Sequence, residues 1–262
     1  MRRSAKTDAE QDDAPQPTTI KRERADRVLV ERGLFDSRAR AQAAIAAGLV
    51  SVGGRTLAKP SDMIHADAEI EAREAYEWVS RAGTKLEAAL DAAGLEVTGL
   101  EALDVGSSTG GFTQVLLARG AARVHAVDVG RDQLHAKLRG HPRIVSLEET
   151  DIRSLAPGAL PPANIVTIDV SFIGLEQVLP AALAHAAPGA RLVALVKPQF
   201  EVGRDKLSKG GIVKDEAARL EAVERVEQCL KGLGWAVAHR LVSPIQGGDG
   251  NEELLLVAAR AE

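Results

Sequence analysis

The chain has 262 residues, of which 45% are hydrophobic, 27% are charged and 3% are aromatic. This composition is typical of a globular protein with room for one large and one small domain. The single cysteine excludes an internal disulfide and a metal site built from several cysteines, and the six histidines show no metal-ligand spacing. From this pattern of cysteine and histidine we expect no metal. No apolar run predicts a membrane span or a secretory leader, so we expect a cytoplasmic protein.

Charge is unevenly distributed along the chain. The formal net charge is −4, yet residues 21–60 contain nine Lys/Arg against four Asp/Glu. The residues after position 60 carry an excess of acids. A basic module joined to an acidic body predicts contact with a nucleic acid, since Lys and Arg neutralise phosphates.

The first elements belong to this basic module. Residues 1–20 lack hydrophobic periodicity and predict a disordered tail. The patterns that follow predict, in chain order, a helix from Arg24 that ends at Gly33, a helix over 38–47 capped by Ser37, a hairpin with its turn at Gly53-Gly54, and a short strand over 68–71.

This module resembles the S4 RNA-binding domain. The matching segments are Arg24-Ala25-Asp26, the run LVERGL at 29–34, the run SRARAQ at 37–42, and the run IAAGLVSVGG at 45–54. The resemblance implies that one helix face and the adjoining hairpin contact RNA, with Arg24, Arg38, Arg40 and Lys59 at matching or neighbouring positions. Such contacts to phosphate are mostly independent of base sequence.

Strand and helix patterns alternate after a linker near residue 76. Strands are predicted over 101–105, 123–127, 143–147, 164–169, 191–196, 235–242 and 253–259. Helices are predicted over 112–118, 131–138, 175–186 and 216–230, and another, capped by Ser80 or Thr84, reaches Ala93. This alternation predicts an α/β fold, a doubly wound, mostly parallel sheet with helices on both faces. We therefore expect a tail over 1–20, an S4 domain over 21–76 and the α/β domain over 77–262.

A glycine-rich turn follows the first strand of this domain, in the run LDVGSSTGGF at 103–112. It does not match the dinucleotide fingerprint, and its leading Asp104 would repel a phosphate but accept from an ammonium group. S-adenosylmethionine has an ammonium group, a ribose and no phosphate. The turn resembles motif I of class I methyltransferases, a Rossmann-like fold, and this implies that Asp128 binds the ribose hydroxyls and Asp151 lies near the adenine. The expected cofactor contacts also include Asp169 and the turn residues Gly106, Ser107, Ser108, Thr109, Gly110, Gly111 and Phe112.

Four charged residues stand at the starts or ends of different elements. Lys85 lies in the helix before the sheet, Asp169 and Lys197 follow apolar strands, and Glu253 opens the last strand. They resemble the Lys-Asp-Lys-Glu tetrad of FtsJ-type ribose 2′-O-methyltransferases. The resemblance implies that Lys197 acts on the attacking hydroxyl, that Asp169 positions it, and that Lys85 and Glu253 complete the network. Glu252 is adjacent, and the family pattern Gly-Asn-x-Glu selects Glu253.

The whole chain from about residue 21 resembles the TlyA family, in which an S4 domain is fused to an FtsJ-like domain and which is often labelled hemolysin. The matching runs are SRAGTKL at 80–86, DVGSSTGGFT at 104–113, DVSFI at 169–173, KPQFE at 197–201, KGGIV at 209–213 and GNEE at 250–253. The resemblance implies methylation of a ribose 2′-hydroxyl in ribosomal RNA, either free or in a ribosomal subunit. It also implies that the target nucleoside is a cytidine. A basic loop over 203–211 is a candidate lid on the RNA, and Arg81, Arg204 and Lys209 are further candidate RNA contacts.

Other functions remain open at this point. An RNA-binding protein with a degenerate methyltransferase body would lack some of the motif residues, all of which are intact. A membrane-active hemolysin would need an apolar span or a strongly amphipathic, aromatic-rich helix, and neither is visible. Methylation of a base amino group would favour Asn/Asp-Pro-Pro-aromatic where this chain has Asp169-Val170-Ser171-Phe172, although Phe172 is placed to stack on a base. A monomer is favoured, with no direct signal for oligomeric state.

Overall fold

The computed structural model describes residues 21–260, so the tail expected over 1–20 lies outside the described residues. The described chain separates into two units, with the boundary between Ala75 and Tyr76. Each unit has its own elements and core.

The N-terminal unit is small and mixes helices with short strands. Its elements are β1 (Arg22–Arg24), α1 (Ala25–Glu31), α2 (Arg38–Ala46), β2 (Val50–Val52), β3 (Arg55–Thr56), β4 (Met63–His65) and β5 (Ile70–Ala72). Strand β1 pairs with β4, and β2 lies between β3 and β5, all antiparallel. A core centred on Leu29, Phe35 and Ile45 joins the two helices to the strands.

The structure confirms the predicted cap of α2 and the predicted turn of the hairpin. Ser37 Oγ accepts from the Arg40 backbone N–H at 3.4 Å and caps α2. Gly53 and Gly54 have φ of +54° and +75°. Two successive residues in the left-handed region form the tight turn that best matches the twist of a hairpin.

Asp26 connects the two helices of the N-terminal unit. Its carboxylate is fully buried and accepts from Arg24 at 3.0 Å, from Arg38 at 2.8 Å and from Gln42 at 2.7 Å. The hydrogen bonds from Arg24, and then those from Arg38 and Gln42, hold the pKa of Asp26 far below its usual range against the opposing effect of burial. Asp26 therefore fixes the position of α2 against the start of α1.

The C-terminal unit is an α/β sandwich built on one sheet. Its strands are β6 (Glu101–Val105), β7 (Arg123–Val127), β8 (Ile144–Leu147), β9 (Ala163–Ile168), β10 (Ala186–Val196), β11 (Trp235–Val242) and β12 (Leu254–Arg260). Its helices are α3 (Ala82–Ala93), α4 (Gly111–Ala118), α5 (Leu179–Leu183), α6 (Pro198–Glu201) and α7 (Glu216–Gly232), and short 3-10 turns cover Ile152–Ser154, Leu175–Gln177 and Arg204–Lys206.

The sheet order is β11-β12-β10-β9-β6-β7-β8. Strands β10, β9, β6, β7 and β8 are parallel to one another, and β12 runs antiparallel to both of its neighbours. Helices α3 and α4 cover one face, where Leu86, Leu90 and Leu116 are fully buried. The other face is covered by α5 and α7. The expected doubly wound, mostly parallel fold is confirmed.

The helix predicted over 131–138 is wrong, because the segment forms bends and turns. The Glu148 carboxylate accepts from the backbone N–H groups of Asp132, Gln133 and Leu134 at 2.7 to 2.8 Å. Asp132 has φ of +52°. The left-handed conformation of Asp132 interrupts the predicted helix at its second residue. The Glu148 side chain then satisfies the N–H groups of the turn that forms instead.

Two other predicted boundaries differ from the structure. The region 175–186 is divided into a 3-10 turn and the short α5, and β10 begins at Ala186 with an irregularity before Arg191. Gly189 lies in that irregularity with φ of +70°. Neither Ser80 nor Thr84 caps α3, whose first turn has no side-chain cap, whereas Gly94 ends the helix in the left-handed region as expected.

Within residues 21–260, no helix combines the length and apolar character needed to cross a membrane.

We expect Asp26→Asn to destabilise the N-terminal unit by about 3 kcal/mol at pH 7, because it breaks an ion network around a buried acid. Glu31→Gln in the same helix is the matched control, since its partner Arg27 is exposed, and should cost at most about 1 kcal/mol. Amide hydrogen exchange of α1 and α2 in the full chain measures both.

The pH dependence of this effect has a defined sign. Because the folded pKa of Asp26 is lowered, its stabilising effect is complete above the unfolded pKa of about 4 and decreases as the pH falls further. The two proteins should therefore become more alike in acid. A difference that stays constant down to pH 2 would contradict the assignment.

Candidate functional site

The site motifs follow the carboxyl ends of β6, β7, β9 and β10, the edge at which open α/β sheets bind ligands. Two neighbouring cavities lie there, with volumes of about 580 Å³ and about 260 Å³. The residues that line both are Gly106, Ser108, Asp169 and Ser171. The larger cavity has the size of a small-molecule site, roughly 300–1,000 Å³.

Acidic side chains stand on the wall of the larger cavity. Asp128 accepts from the backbone N–H groups of Ser108 and Gly130, each at 2.7 Å. Asp151 forms an ion pair with Arg153 at 2.6 Å, and the Arg153 hydrogen bonds lower the pKa of this carboxyl. Apolar side chains complete the wall, so the cavity combines carboxylate acceptors with an apolar slot.

The glycines of the turn are required by contacts within the protein. Gly106 has φ of +80°, and a Cβ there would lie 2.4 Å from the Asp169 carbonyl oxygen. A Cβ on Gly110 would collide with Leu138, and one on Gly111 would lie 2.2 Å from Ser80 Oγ.

Some residues of the glycine turn line a cavity, whereas others pack against neighbouring side chains. Ser107, Thr109 and Phe112 line the smaller cavity, whereas Gly110 and Gly111 line neither. Both glycines have packing roles, since they leave room for Leu138 and Ser80. Their direct contacts with a cofactor stay a prediction.

Asp104 lies beneath the turn. Its carboxylate is fully buried and accepts from Thr113 Oγ1 at 2.6 Å and from Thr167 Oγ1 at 2.9 Å. Burial raises its pKa to about 6, and the two threonine hydrogen bonds oppose that shift. Asp104 therefore joins α4 to β9 under the turn, and its contact with an ammonium group stays a prediction.

Two lysines project into the smaller cavity. Lys197 Nζ lies 2.6 Å from Asp169 Oδ1 and donates to Ser171 Oγ at 2.9 Å. Lys85 lines the same cavity and pairs with Glu253. The four residues predicted as a tetrad therefore form two ion pairs at one edge of the sheet.

Glu253 is the inward member of the adjacent glutamates. It is 2% exposed, whereas Glu252 points outward and pairs weakly with Arg219 at 3.8 Å. The antiparallel direction of β12 explains its position: Leu254 is opposite Val196, which places Glu253 beside the end of β10. A buried ion pair such as Lys85–Glu253 contributes little net stability.

The candidate RNA-binding residues have different environments. Lys59, Arg81, Arg204 and Lys209 are exposed, and Arg81 also lines the smaller cavity. Arg24 and Arg38 are about half exposed but bind Asp26.

Arg40 lies in a more buried environment than the other candidate RNA contacts, and its contact with RNA stays a prediction. Its side chain is 8% exposed and pairs with Glu74 at 3.0 Å. It therefore holds the end of the N-terminal unit to α2, and its guanidinium does not lie open to a phosphate.

Sequence reasoning missed two supporting side chains. Ser171 accepts from Lys197, although the run DVSF after a strand end was visible. Asn251 is 1% exposed, accepts from the Val213 N–H at 2.9 Å and donates to the Gly211 carbonyl at 3.0 Å. It thereby fastens the end of the basic 203–211 loop to the turn that carries Glu253.

No group of three His, Cys, Asp or Glu side chains suited to a metal ion occurs in the part of the chain that the structure describes.

Comparisons with known proteins match each unit to a family. The FtsJ-like methyltransferase family matches residues 78–260, and the S4 domain family matches residues 23–70. The chain is 44% identical over 239 residues to the 16S/23S rRNA (cytidine-2′-O)-methyltransferase TlyA of Mycobacterium tuberculosis, covering 90% of this chain and 89% of that protein. It is 36% identical to Hemolysin A of Brachyspira hyodysenteriae, covering 88% of this chain and 98% of that protein.

A solved structure from Streptococcus thermophilus, whose provisional name is hemolysin, is also similar. It has a TM-score of 0.73 and 38% sequence identity, and the match covers 93% of this chain and 90% of that one. The similarity thus extends over both units.

We expect the buried Asp104 to give the protein a distinctive pH response. Its folded pKa, about 6, lies above the unfolded value, so its cost to folding is absent below about pH 4 and complete above pH 6. Asp104→Asn removes this titration. The free energy of unfolding of the variant, minus that of the parent, should rise by about 3 kcal/mol from pH 4 to pH 7 in urea titrations.

Asp91→Asn is the matched control for this experiment, because Asp91 is exposed and its hydrogen bond with Arg119 lowers its pKa. Its variant-minus-parent difference should fall slightly over the same range. A flat difference for Asp104→Asn would contradict the buried, titrating carboxyl.

Proposed function

We propose that this chain, which belongs to the TlyA family of FtsJ-like methyltransferases, transfers a methyl group from S-adenosylmethionine to a ribose 2′-hydroxyl of ribosomal RNA. The single observation that carries the proposal is that Lys85, Asp169 and Lys197 line one small cavity that shares a wall with a larger, acid-lined cavity. Donor and acceptor would meet at the shared wall.

The larger cavity fits the donor in size and chemistry. Asp128 would accept from the ribose hydroxyls, and Asp151 would lie near the adenine amino group. When bound, S-adenosylmethionine supplies an activated methyl group on its sulfonium. The main task left to the protein is then to align the three reacting atoms and assist loss of the hydroxyl proton.

The smaller cavity supplies that assistance. A ribose hydroxyl is a poor nucleophile, because its proton leaves only well above neutral pH. In its charged form Lys197 Nζ would stabilise the negative charge that develops on the oxygen. It could accept the hydroxyl proton only after releasing one of its own protons to solvent. Asp169 and Ser171 hold this nitrogen in place, while Glu253 holds Lys85.

The substrate assignment draws on both units. The relative in M. tuberculosis is named for cytidine in 16S and 23S rRNA, and a cytidine is accordingly the proposed target. Residues 21–76 would bind RNA as an S4 domain, residues 77–262 would carry the methyltransferase activity, and Lys59 would contact phosphate. We propose a monomer that acts in the cytoplasm, where ribosomal RNA lies.

A membrane-lytic function has less support. The name hemolysin occurs among the relatives, but the buried lysine and acid pairs serve no purpose in such a protein. Saturable donor binding distinguishes the alternatives, since neither a lytic protein nor a degenerate enzyme requires it.

We expect the full chain to transfer radiolabel from S-adenosylmethionine to ribosomal subunits or naked rRNA, with the label on a sugar. Lys197→Ala should lower kcat by roughly 10²–10⁴, the usual contribution of general acid–base assistance. Lys231→Ala, an exposed lysine at the end of α7, is the matched control and should keep full activity.

Nuclease digestion followed by mass spectrometry locates the methyl group. Label on a nucleobase would keep the methyl transfer and overturn its proposed destination. Equal rates for Lys197→Ala and the parent would remove Lys197 from the chemistry.

We expect Lys59→Ala to weaken RNA binding without affecting donor binding. Loss of one phosphate contact should reduce the slope of log affinity against log salt by about 1. Filter binding of rRNA fragments at several salt concentrations measures this, again with Lys231→Ala as the control. An unchanged slope would place Lys59 outside the RNA contact.

A further inference from the structure

Two segments that follow neighbouring strands meet behind the site. The 169–175 loop follows β9 and forms one wall of the larger cavity, and the 197–201 segment follows β10 and begins with the active-site lysine. At the cavity they are joined by the contact between Lys197 and Asp169. That contact alone would leave the far end of the loop unsupported.

Glu201 joins the same two segments at their far end. Its Oε1 accepts from the Leu175 backbone N–H at 2.9 Å, where the 169–175 loop turns into a 3-10 helix. Gly174 leaves room for the carboxylate, since a Cβ there would lie 3.2 Å from Oε2. Arg225 in α7 donates to the backbone carbonyl of Glu201 and fixes the segment from behind.

Between these two ends lies an unusual residue. Phe172 has φ of +65° and is 90% exposed, so neither backbone preference nor burial favours its conformation. Its ring contacts Phe200, with centroids 5.1 Å apart. A bulky residue keeps a left-handed conformation only where the surrounding structure determines it. The contacts at both ends of the loop supply that constraint.

We infer that Glu201 is a positioning residue, which holds the 169–175 loop against the lysine segment and so fixes both the donor cavity wall and the Asp169–Lys197 pair. The inference rests on the proposed function for its consequences in catalysis. Nothing in the sequence pattern KPQFE assigns this task to its last residue.

The contact between Glu201 and the Leu175 N–H requires an acceptor oxygen. The amide of a glutamine supplies such an oxygen in a side chain of the same length, so a neutral isostere should keep the contact. Burial raises the pKa of the Glu201 carboxyl and nearby Glu176 acts in the same direction, while the Leu175 N–H and Arg225 oppose the shift. An apolar side chain of similar size would leave the buried N–H without its partner.

The test compares Glu201→Leu with Glu201→Gln in the full chain. We expect Glu201→Leu to lower kcat on ribosomal RNA by roughly ten- to a hundredfold, the effect of a small misplacement of reacting groups, and to weaken donor binding in calorimetry. Glu201→Gln should stay within about threefold of the parent in both. RNA affinity, measured by filter binding, should be unchanged in either variant.

Glu176→Leu is the matched control, because Glu176 is exposed on the same 3-10 turn, and should also stay within about threefold. If Glu201→Leu does not fold, Glu201→Ala replaces it, because it also removes the acceptor of the Leu175 N–H and should reduce kcat in the same direction.

Normal kcat and donor affinity in Glu201→Leu, or equal defects in Glu201→Leu and Glu201→Gln, would overturn the positioning role while the proposed function stands. A parent protein that neither binds donor nor methylates RNA would overturn the proposed function itself.

Discussion

The site depends on the close approach of two neighbouring strand ends. Strands β6 and β9 are paired in parallel, with Val105 opposite Ile168, so the residues that follow them compete for the same space. Gly106 resolves this because it has no side chain and adopts a left-handed conformation against the Asp169 carbonyl. Any Cβ at that position would push the two turns apart and separate the cavity walls that they share.

The general architecture could be predicted because its signals are local. Apolar runs alternate with amphipathic segments, and glycines such as Gly33 and Gly94 end helices in the left-handed region. The order of the motifs along the chain then placed Asp128 and Lys197 at the ends of parallel strands, which necessarily lie at one edge of the sheet. Asp169 also follows a parallel strand, so it was predicted at the same edge.

The sequence could not show which side chains have partners that lie far away along the chain. Glu148 takes the backbone donors of the segment expected to be helical, and Glu74 takes the guanidinium of Arg40. Asp104 looked like a ligand because it precedes the glycine turn, yet the hydroxyls of Thr113 and Thr167 enclose it. Local sequence gives the charge of a residue, but only the tertiary structure shows whether another group already neutralises it.

The direction of β12 has a consequence for how the charged groups of the site come together. Lys85 and Glu253 are separated by 168 positions, and Glu253 reaches the site only because this strand inserts antiparallel beside β10. Until β12 has docked, Lys85 lacks the acid that pairs with it. Because a buried charge without its partner is costly, docking of this strand and formation of the Lys85–Glu253 pair should occur together during folding.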